Sequence, residues 1–284
     1  MIGLDYSERV IHEMHSIPLS FYHLDAKNSC YHMPLHWHHS FELVRILSGK
    51  LTIHINDKKI LALRGDVILI NQENIHGYFP MDCVYEVIDF DVDELLLHTS
   101  LCKNTLHIFT NSNVNILPFN SAMQPDIYHM AICLFDYASM GFENHSLLVL
   151  GALFELLGTI YKLHHYTENT KISATEKKFK PLLEFIENNY MHPITLKEMA
   201  QISCMSTSHF ATTFRNFFGE TPMEYVNSYR IERACLLLTN ATLSITEITY
   251  RCGFNDSAYF VKVFKKHKNM TPKKYRCTYA VSSD

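Results

Sequence analysis

A chain of 284 residues with 47% hydrophobic and 19% charged side chains is too apolar to be disordered and too long for one small domain, so two domains are expected. The formal charge of −4 hides a split: residues 1–170 hold 9 Lys+Arg against 19 Asp+Glu, and residues 171–284 hold 16 against 10. Fifteen of the 18 histidines fall in the first part. A basic C-terminal third points to a polyanion.

The opening MIGLDYSERV lacks a basic region followed by an apolar run, so no secretory signal is expected and the protein is placed in the cytoplasm. The eight cysteines contain no C-x-x-C pair and read as reduced structural residues. From about 20 to 118 short β-prone runs alternate with turn residues. FELVRIL (41–47), LTIHIN (51–56) and DVILIN (66–71) are separated by breaks at Ser48-Gly49-Lys50, Asn56-Asp57 and Arg64-Gly65. Such spacing predicts a β-barrel or sandwich.

From 121 to 166 the apolar period becomes helical. Ile127, Met130, Ala131 and Leu134 form one stripe, and Leu147, Leu150, Phe154, Leu157, Ile160 and Tyr161 form another. Two readings stay open for these helices: packing onto the sheet, or pairing with a second copy. The stretch 147–163 is the most apolar of the chain, but Glu155 and Lys162 make it amphipathic, so no membrane partner is expected. TENTKISATE at 167–176 reads as a linker. The expected domains are therefore 1–166 and 177–284.

The last hundred residues repeat with an offset of fifty. Phe210, Phe214, Gly219, Thr221, Pro222 and Tyr225 align with Phe260, Phe264, Asn269, Thr271, Pro272 and Tyr275. In the first copy Thr195 and Glu198 have capping-box spacing, Cys204-Met205 makes a tight turn, Ser206 caps a second helix and Gly219 stops it. In the second copy Ser244 and Glu247 repeat the cap, Gly253 makes the turn, Asp256 caps and Asn269 stops. Two helices joined by a tight turn, twice over, predict helix-turn-helix units at about 196–218 and 245–268. A solenoid would need more than two such units.

The outward positions of the second helices are Thr207, Ser208, Ala211, Thr212 and Arg215, then Ser257, Ala258, Val261, Lys262 and Lys265. None is acidic. Hydroxyls and small apolar groups suit base edges, and cations suit phosphates, so these ten are the candidate DNA-binding residues.

The segment SITEITYRCGFNDSAYFVKVFKKHKNMTPKKYR resembles the signature of AraC/XylS-type transcription regulators through Ile245, Ile248, Gly253, Phe254, Asp256, Tyr259, Phe260, Phe264, Lys265, Thr271, Pro272, Tyr275 and Arg276. The upstream copy is similar through Leu196, Ala200, Ser206, His209, Phe214, Gly219, Pro222, Tyr225, Arg230 and Ala234. Thr249, Ala258 and Asn269 depart from the usual residues without removing a cap. The resemblance covers about 178–278 and implies two recognition helices in successive major grooves of double-stranded DNA.

His36-Trp37-His38, Glu42, Gly49 and the later His76 resemble the cupin pattern, in which such residues line a barrel pocket. Parity along one strand would aim His36, His38 and Glu42 at one face, with Trp37 on the other. His36, His38, Glu42, His76 and Tyr78 are thus the candidate effector residues, and no cofactor or metal is assigned. A metal-containing sensor and plain core histidines are the alternatives.

The expected fold class is α+β with two domains: an N-terminal cupin-like β-barrel with two trailing helices, and an all-α C-terminal domain. The expected function is a transcription regulator, an activator in particular, answering to a small polar effector such as a carbohydrate. A homodimer and RNA polymerase are the further expected partners. The competing reading is a metal-dependent cupin enzyme with a helical appendage, but no nucleophile, P-loop or dinucleotide fingerprint supports it.

Overall fold

The structure, a computed structural model, describes residues 12–13, 19–28, 31–56, 58–98, 106, 108–109, 112–114, 118–120, 122–163, 166–168, 174–239 and 243–279. Two compact units emerge. One comprises Met1–Ala26 and Trp37–Ile172, the other Lys27–His36 and Ser173–Asp284.

In the first unit the strands are β1 (His12–Glu13), β2 (Leu19–Leu24), β4 (Phe41–Ile55), β5 (Lys58–Leu63), β6 (Val67–Ile70), β7 (His76–Phe90), β8 (Ser112–Val114), β9 (Pro118–Phe119) and β10 (Tyr166–Glu168). The short β3 (Met33–His36) groups with the second unit. The main antiparallel sheet runs β1-β2-β7-β4-β6-β9, with β5 paired to the second half of β4. β10 pairs with β8, which takes 167 and 168 out of the stretch that composition marks as linker.

FELVRIL and LTIHIN are not two strands but one. The predicted break at Ser48-Gly49-Lys50 is a bulge within β4, where the register against β7 shifts twice. Gly49 has φ +71°, and a Cβ there would lie 2.0 Å from Asp82 O, so the strands approach too closely for any side chain. Turn-formers mark both hairpins and bulges, and only the pairing partner separates them.

Phe41, Leu43, Val67, Leu69 and Phe90 share one core with Ile127, Ala131, Leu134, Leu153 and Leu157 of two helices, α2 (Pro125–Ser139) and α3 (Phe142–Lys162). A shorter helix, α1 (Val92–His98), precedes them. Packing onto the sheet is thus observed for both. The inward set of α3 overlaps the predicted stripe only in part: Leu157 and Ile160 are buried as part of it, but Val149, Leu153 and Leu156 join them, whereas Leu147 is 82% exposed and Tyr161 is on the surface. Apolar residues extend beyond one face of this helix, so its phase is set by the surface it meets.

The second unit is helical: α4 (Ala174–Asn189), α5 (Leu196–Ile202), α6 (Thr207–Phe218), α7 (Pro222–Thr239), α8 (Ile245–Arg251), α9 (Ser257–Lys268) and α10 (Pro272–Tyr279). The caps explain the boundaries. Thr195 and Glu198 form a complete capping box, and Ser206, Ser244 and Asp256 each accept from the backbone N–H three residues on. Gly219 and Asn269 both stop their helices in the left-handed conformation. Thr221 and Glu224 add a reciprocal cap at the start of α7 that the Pro222 signal had overshadowed.

α7 packs on α6, α8, α9 and α10 and so serves both repeats. Around α6 the rings of Phe179, Phe210, Phe214, Phe218 and Tyr225 form one aromatic core. Around α9 the core is Ile248, Cys252, Phe254, Phe260, Phe264 and Tyr275 with residues of α7. Arg230 of α7, only 7% exposed, donates to the carbonyls of Tyr190 and His192 at 2.8 Å each.

Candidate effector pocket and nucleic-acid interface

Glu42 sits one residue after Phe41 and therefore points to the opposite face of β4, into the sheet interior. There it is 6% exposed and ringed by polar groups. His38 Nε2 lies 2.8 Å from its Oε1 and His76 Nε2 lies 3.5 Å from the same oxygen. The fully buried Tyr78 hydroxyl donates to its Oε2. His76 and Tyr78 are two apart on β7, so both face inward. Glu42 and Tyr78 are far apart in the β4–β7 register, where Tyr78 faces Ile53. Their contact shows how strongly the sheet curls.

The predicted shared strand parity of His36, His38 and Glu42 is incorrect. β3 ends at His36 and β4 begins at Phe41, and 37–40 is not strand. His38 reaches Glu42 across that connection, while His36 closes β3 with Nδ1 donating to Pro34 O at 2.9 Å. Trp37 is half-buried, and its ring meets the edge of His39 at 5.2 Å.

Burial opposes charge on His38, but the Glu42 carboxylate outweighs it and raises the imidazole to about 9. Burial likewise works against the Glu42 carboxylate, yet His76 and His38 together hold it well below the usual range. Asp89, which faces Glu42 in the β4–β7 register, is pushed up to about 6 by burial. His76 Nδ1 lies 2.9 Å from Asn74 O. A carbonyl only accepts, so Nδ1 carries the proton and Nε2 is the atom presented to Glu42.

A second polar set, unseen from sequence, lies on the helix side of the sheet. Arg45 NH2 is 2.6 Å from buried Glu86, which also meets His23 at 3.0 Å. Arg45 reaches Asp136 of α2 at 2.7 Å, with its guanidinium over the Phe135 ring. These partners are 41 and 91 residues away, beyond any local motif.

In the second unit all ten candidate DNA-binding residues lie on α6 or α9. Thr207, Ser208, Thr212, Arg215, Ser257, Ala258, Val261, Lys262 and Lys265 are exposed, and Ala211 is half-exposed. Lys268 differs from its neighbours: 9% exposed, it bonds both carboxylate oxygens of Glu232 at 2.8 Å and holds α9 to α7. Lys266 lies 3.4 Å from Glu224.

A curled sheet with a polar interior, joined in one chain to two capped helix-turn-helix units, defines a ligand-responsive DNA-binding regulator. Comparison with known proteins is consistent with that class. Residues 18–155 match the family described as an AraC-like ligand binding domain, and residues 199–277 match a helix-turn-helix domain. The chain belongs to the AraC-type transcription regulators. It is 28% identical over 301 residues, 97% of each chain, to the uncharacterized HTH-type transcriptional regulator YdeC of Bacillus subtilis. It is 27% identical to the HTH-type transcriptional activator RhaR of Salmonella arizonae, covering 85% of this chain and 86% of that one. The fold is similar to that of a ToxT variant from Vibrio cholerae, with TM-score 0.53 and 14% identity over 94% of this chain and all of that one.

Proposed function

We propose that the protein is an effector-responsive activator and not an enzyme. Its effector is a small polar molecule, of which a carbohydrate is one class, seated against His38, Glu42, His76 and Tyr78. His36, two residues upstream of His38, completes the proposed set. The observation that carries this reading is the buried Glu42 carboxylate, held by two imidazoles and a phenol in the interior of the sheet. Such groups can accept from hydroxyls and donate to oxygen, and burial makes their pairing selective. The effector acts by binding one arrangement of the chain more tightly than another. Thr207, Ser208, Ala211, Thr212, Arg215, Ser257, Ala258, Val261, Lys262 and Lys265 are the proposed DNA contacts, and RNA polymerase is the further partner an activator needs.

A second reading is favoured by one detail. His76 Nδ1–H is bound to a backbone carbonyl, the arrangement that orients an imidazole for metal ligation through Nε2. Donor atoms of His38, Glu42 and His76 lie within 4.8 Å of one another, and two nitrogens with one carboxylate oxygen suit a first-row divalent ion. Such an ion would supply a Lewis-acidic anchor for an oxygen-bearing effector.

The test changes His38 and His76 together to Ala. Duplex DNA selected by the purified protein from a random pool is titrated against a panel of sugars, organic acids and divalent ions. The expected result is that one compound shifts wild-type DNA affinity at least fivefold and leaves the double variant unmoved. A double variant that still responds would place the pocket elsewhere. Metal analysis of the same preparation separates the two readings.

We further propose a homodimer through the outer face of α3, where Leu147 and Leu148, and Leu163 just beyond its end, are exposed. If two copies cross antiparallel at Gly158, beside which no atom lies within 4 Å of an added Cβ, Glu155 of each copy meets Lys162 of the other. Glu155→Lys should weaken the dimer at least tenfold by sedimentation, and adding Lys162→Glu should restore it. Equal association of all three proteins would contradict this interface.

A further inference from the structure

Ten residues from the N-terminal third, Lys27–His36, group with the DNA-binding unit. Within that unit β3 packs on α7. Leu35 is 3% exposed, and its carbonyl accepts from the hydroxyl of Tyr225, a residue itself 2% exposed. The Tyr225 ring is wedged between Phe214 and Phe218 of α6, with centroids 5.6 and 5.3 Å away. The atom that holds Leu35 therefore cannot move without disturbing the first recognition helix.

Three residues earlier, His32 lies in the field of Lys268, the last residue of α9. Burial and that ammonium together lower its imidazole to about 4, so it is neutral beside the cation. The segment thus touches the scaffold of the first recognition helix, α6, through Tyr225.

The same segment runs directly into the proposed pocket. His38 is three residues after Leu35, a span of at most about 10 Å of extended chain. Only two residues, His36 and Trp37, separate the Tyr225-anchored Leu35 from His38 along the chain.

We propose that residues 31–36 form a coupling strap: its C-terminal end is pulled by whatever engages His38 and Glu42, and its body sets the posture of α6. This rests on the effector-pocket reading above and adds the route by which the pocket reaches DNA. The alternative for such a segment, plain structural filler, predicts no dependence of one end on the other.

Because coupling is reciprocal, DNA can serve as the probe. Amide hydrogen exchange of the full chain is measured with and without a duplex selected from a random pool. In wild type, DNA should slow exchange at 38–43 and 76–80 at least threefold. In Tyr225→Phe, which keeps the ring and loses the hydroxyl, that response should fall to less than half while the DNA footprint persists. Two glycines inserted between Leu35 and His36 leave the α6 core untouched and should abolish the response through slack alone. A wild-type pocket indifferent to bound DNA, or variants that respond as wild type does, would overturn the strap. Failure of the wild-type chain to select any duplex would instead overturn the regulator reading on which it rests.

Discussion

Replacing Gly253 by Val is expected to unfold the second helix-turn-helix unit and abolish specific DNA binding. Gly253 has φ +77°, and an added Cβ would lie 2.3 Å from Tyr190 O, 3.0 Å from Arg230 Nε and 3.1 Å from Met191 C. Two of these atoms are backbone and cannot swing aside. The third belongs to the Arg230 guanidinium, already committed to Tyr190 O and His192 O. Left-handed backbone at a non-glycine residue costs about 1–3 kcal/mol, and β-branching and overlap add to it. Against a total stability of about 5–15 kcal/mol, a loss above roughly 3 kcal/mol lowers Tm by at least about 10 °C in a unit of this size. Gly219→Ala is the control. It has φ +80° but no atom within 4 Å of the added Cβ, so it meets the backbone cost alone. Thermal melts in which both variants lose the same few degrees would show that the contact at Tyr190 is not what fixes Gly253.

The second large effect is on electrostatics. Lys262 and Lys265 are exposed on α9, on a face with no acidic residue among its outward positions. Changing both to Ala should weaken binding to every duplex and reduce the slope of log affinity against log salt by roughly two, since each phosphate contact releases about one counterion. Lys268→Ala should leave that slope unchanged, because Lys268 is spent on Glu232 at 2.8 Å. Its cost falls on stability, since Glu232 would keep a charge without its partner. A slope that drops for Lys268 and not for Lys262 and Lys265 would mean that a different face of α9 meets DNA.

How much of this was readable before the fold depends on how local each cause is. Thr195, Ser206, Ser244, Asp256, Gly219 and Asn269 act within three or four residues, so residue type and spacing identify them. The fifty-residue repeat made each cap a check on its counterpart. Gly253 was legible as a turn residue for the same reason, but Tyr190 O, the atom that makes the glycine obligatory, was not. The convergence of His38, Glu42, His76 and Tyr78 was legible, although the parity argument for His36, His38 and Glu42 failed because the chain between β3 and β4 leaves strand geometry. Ser48-Gly49-Lys50 reads as a break between strands in the sequence and is a bulge in the fold, because a bulge and a turn use the same residue. The sequence leaves open whether the stripe through Leu147 and Tyr161 packs on the sheet or on a second copy, and in the fold both residues are exposed. Contacts spanning long stretches of chain, Arg45 with Asp136 and Tyr225 with Leu35, leave no trace in local pattern. The strap came only from the fold.

Hydroxyl-radical footprinting of the full chain on a selected duplex tests the central claim most directly, namely that α6 and α9 are both presented to DNA. The expected pattern is two protected patches on one face of the helix, about 10 base pairs apart, with Lys262→Ala/Lys265→Ala weakening the patch under α9 more than the other. A single patch, or two that fade together when only α9 is altered, would contradict it.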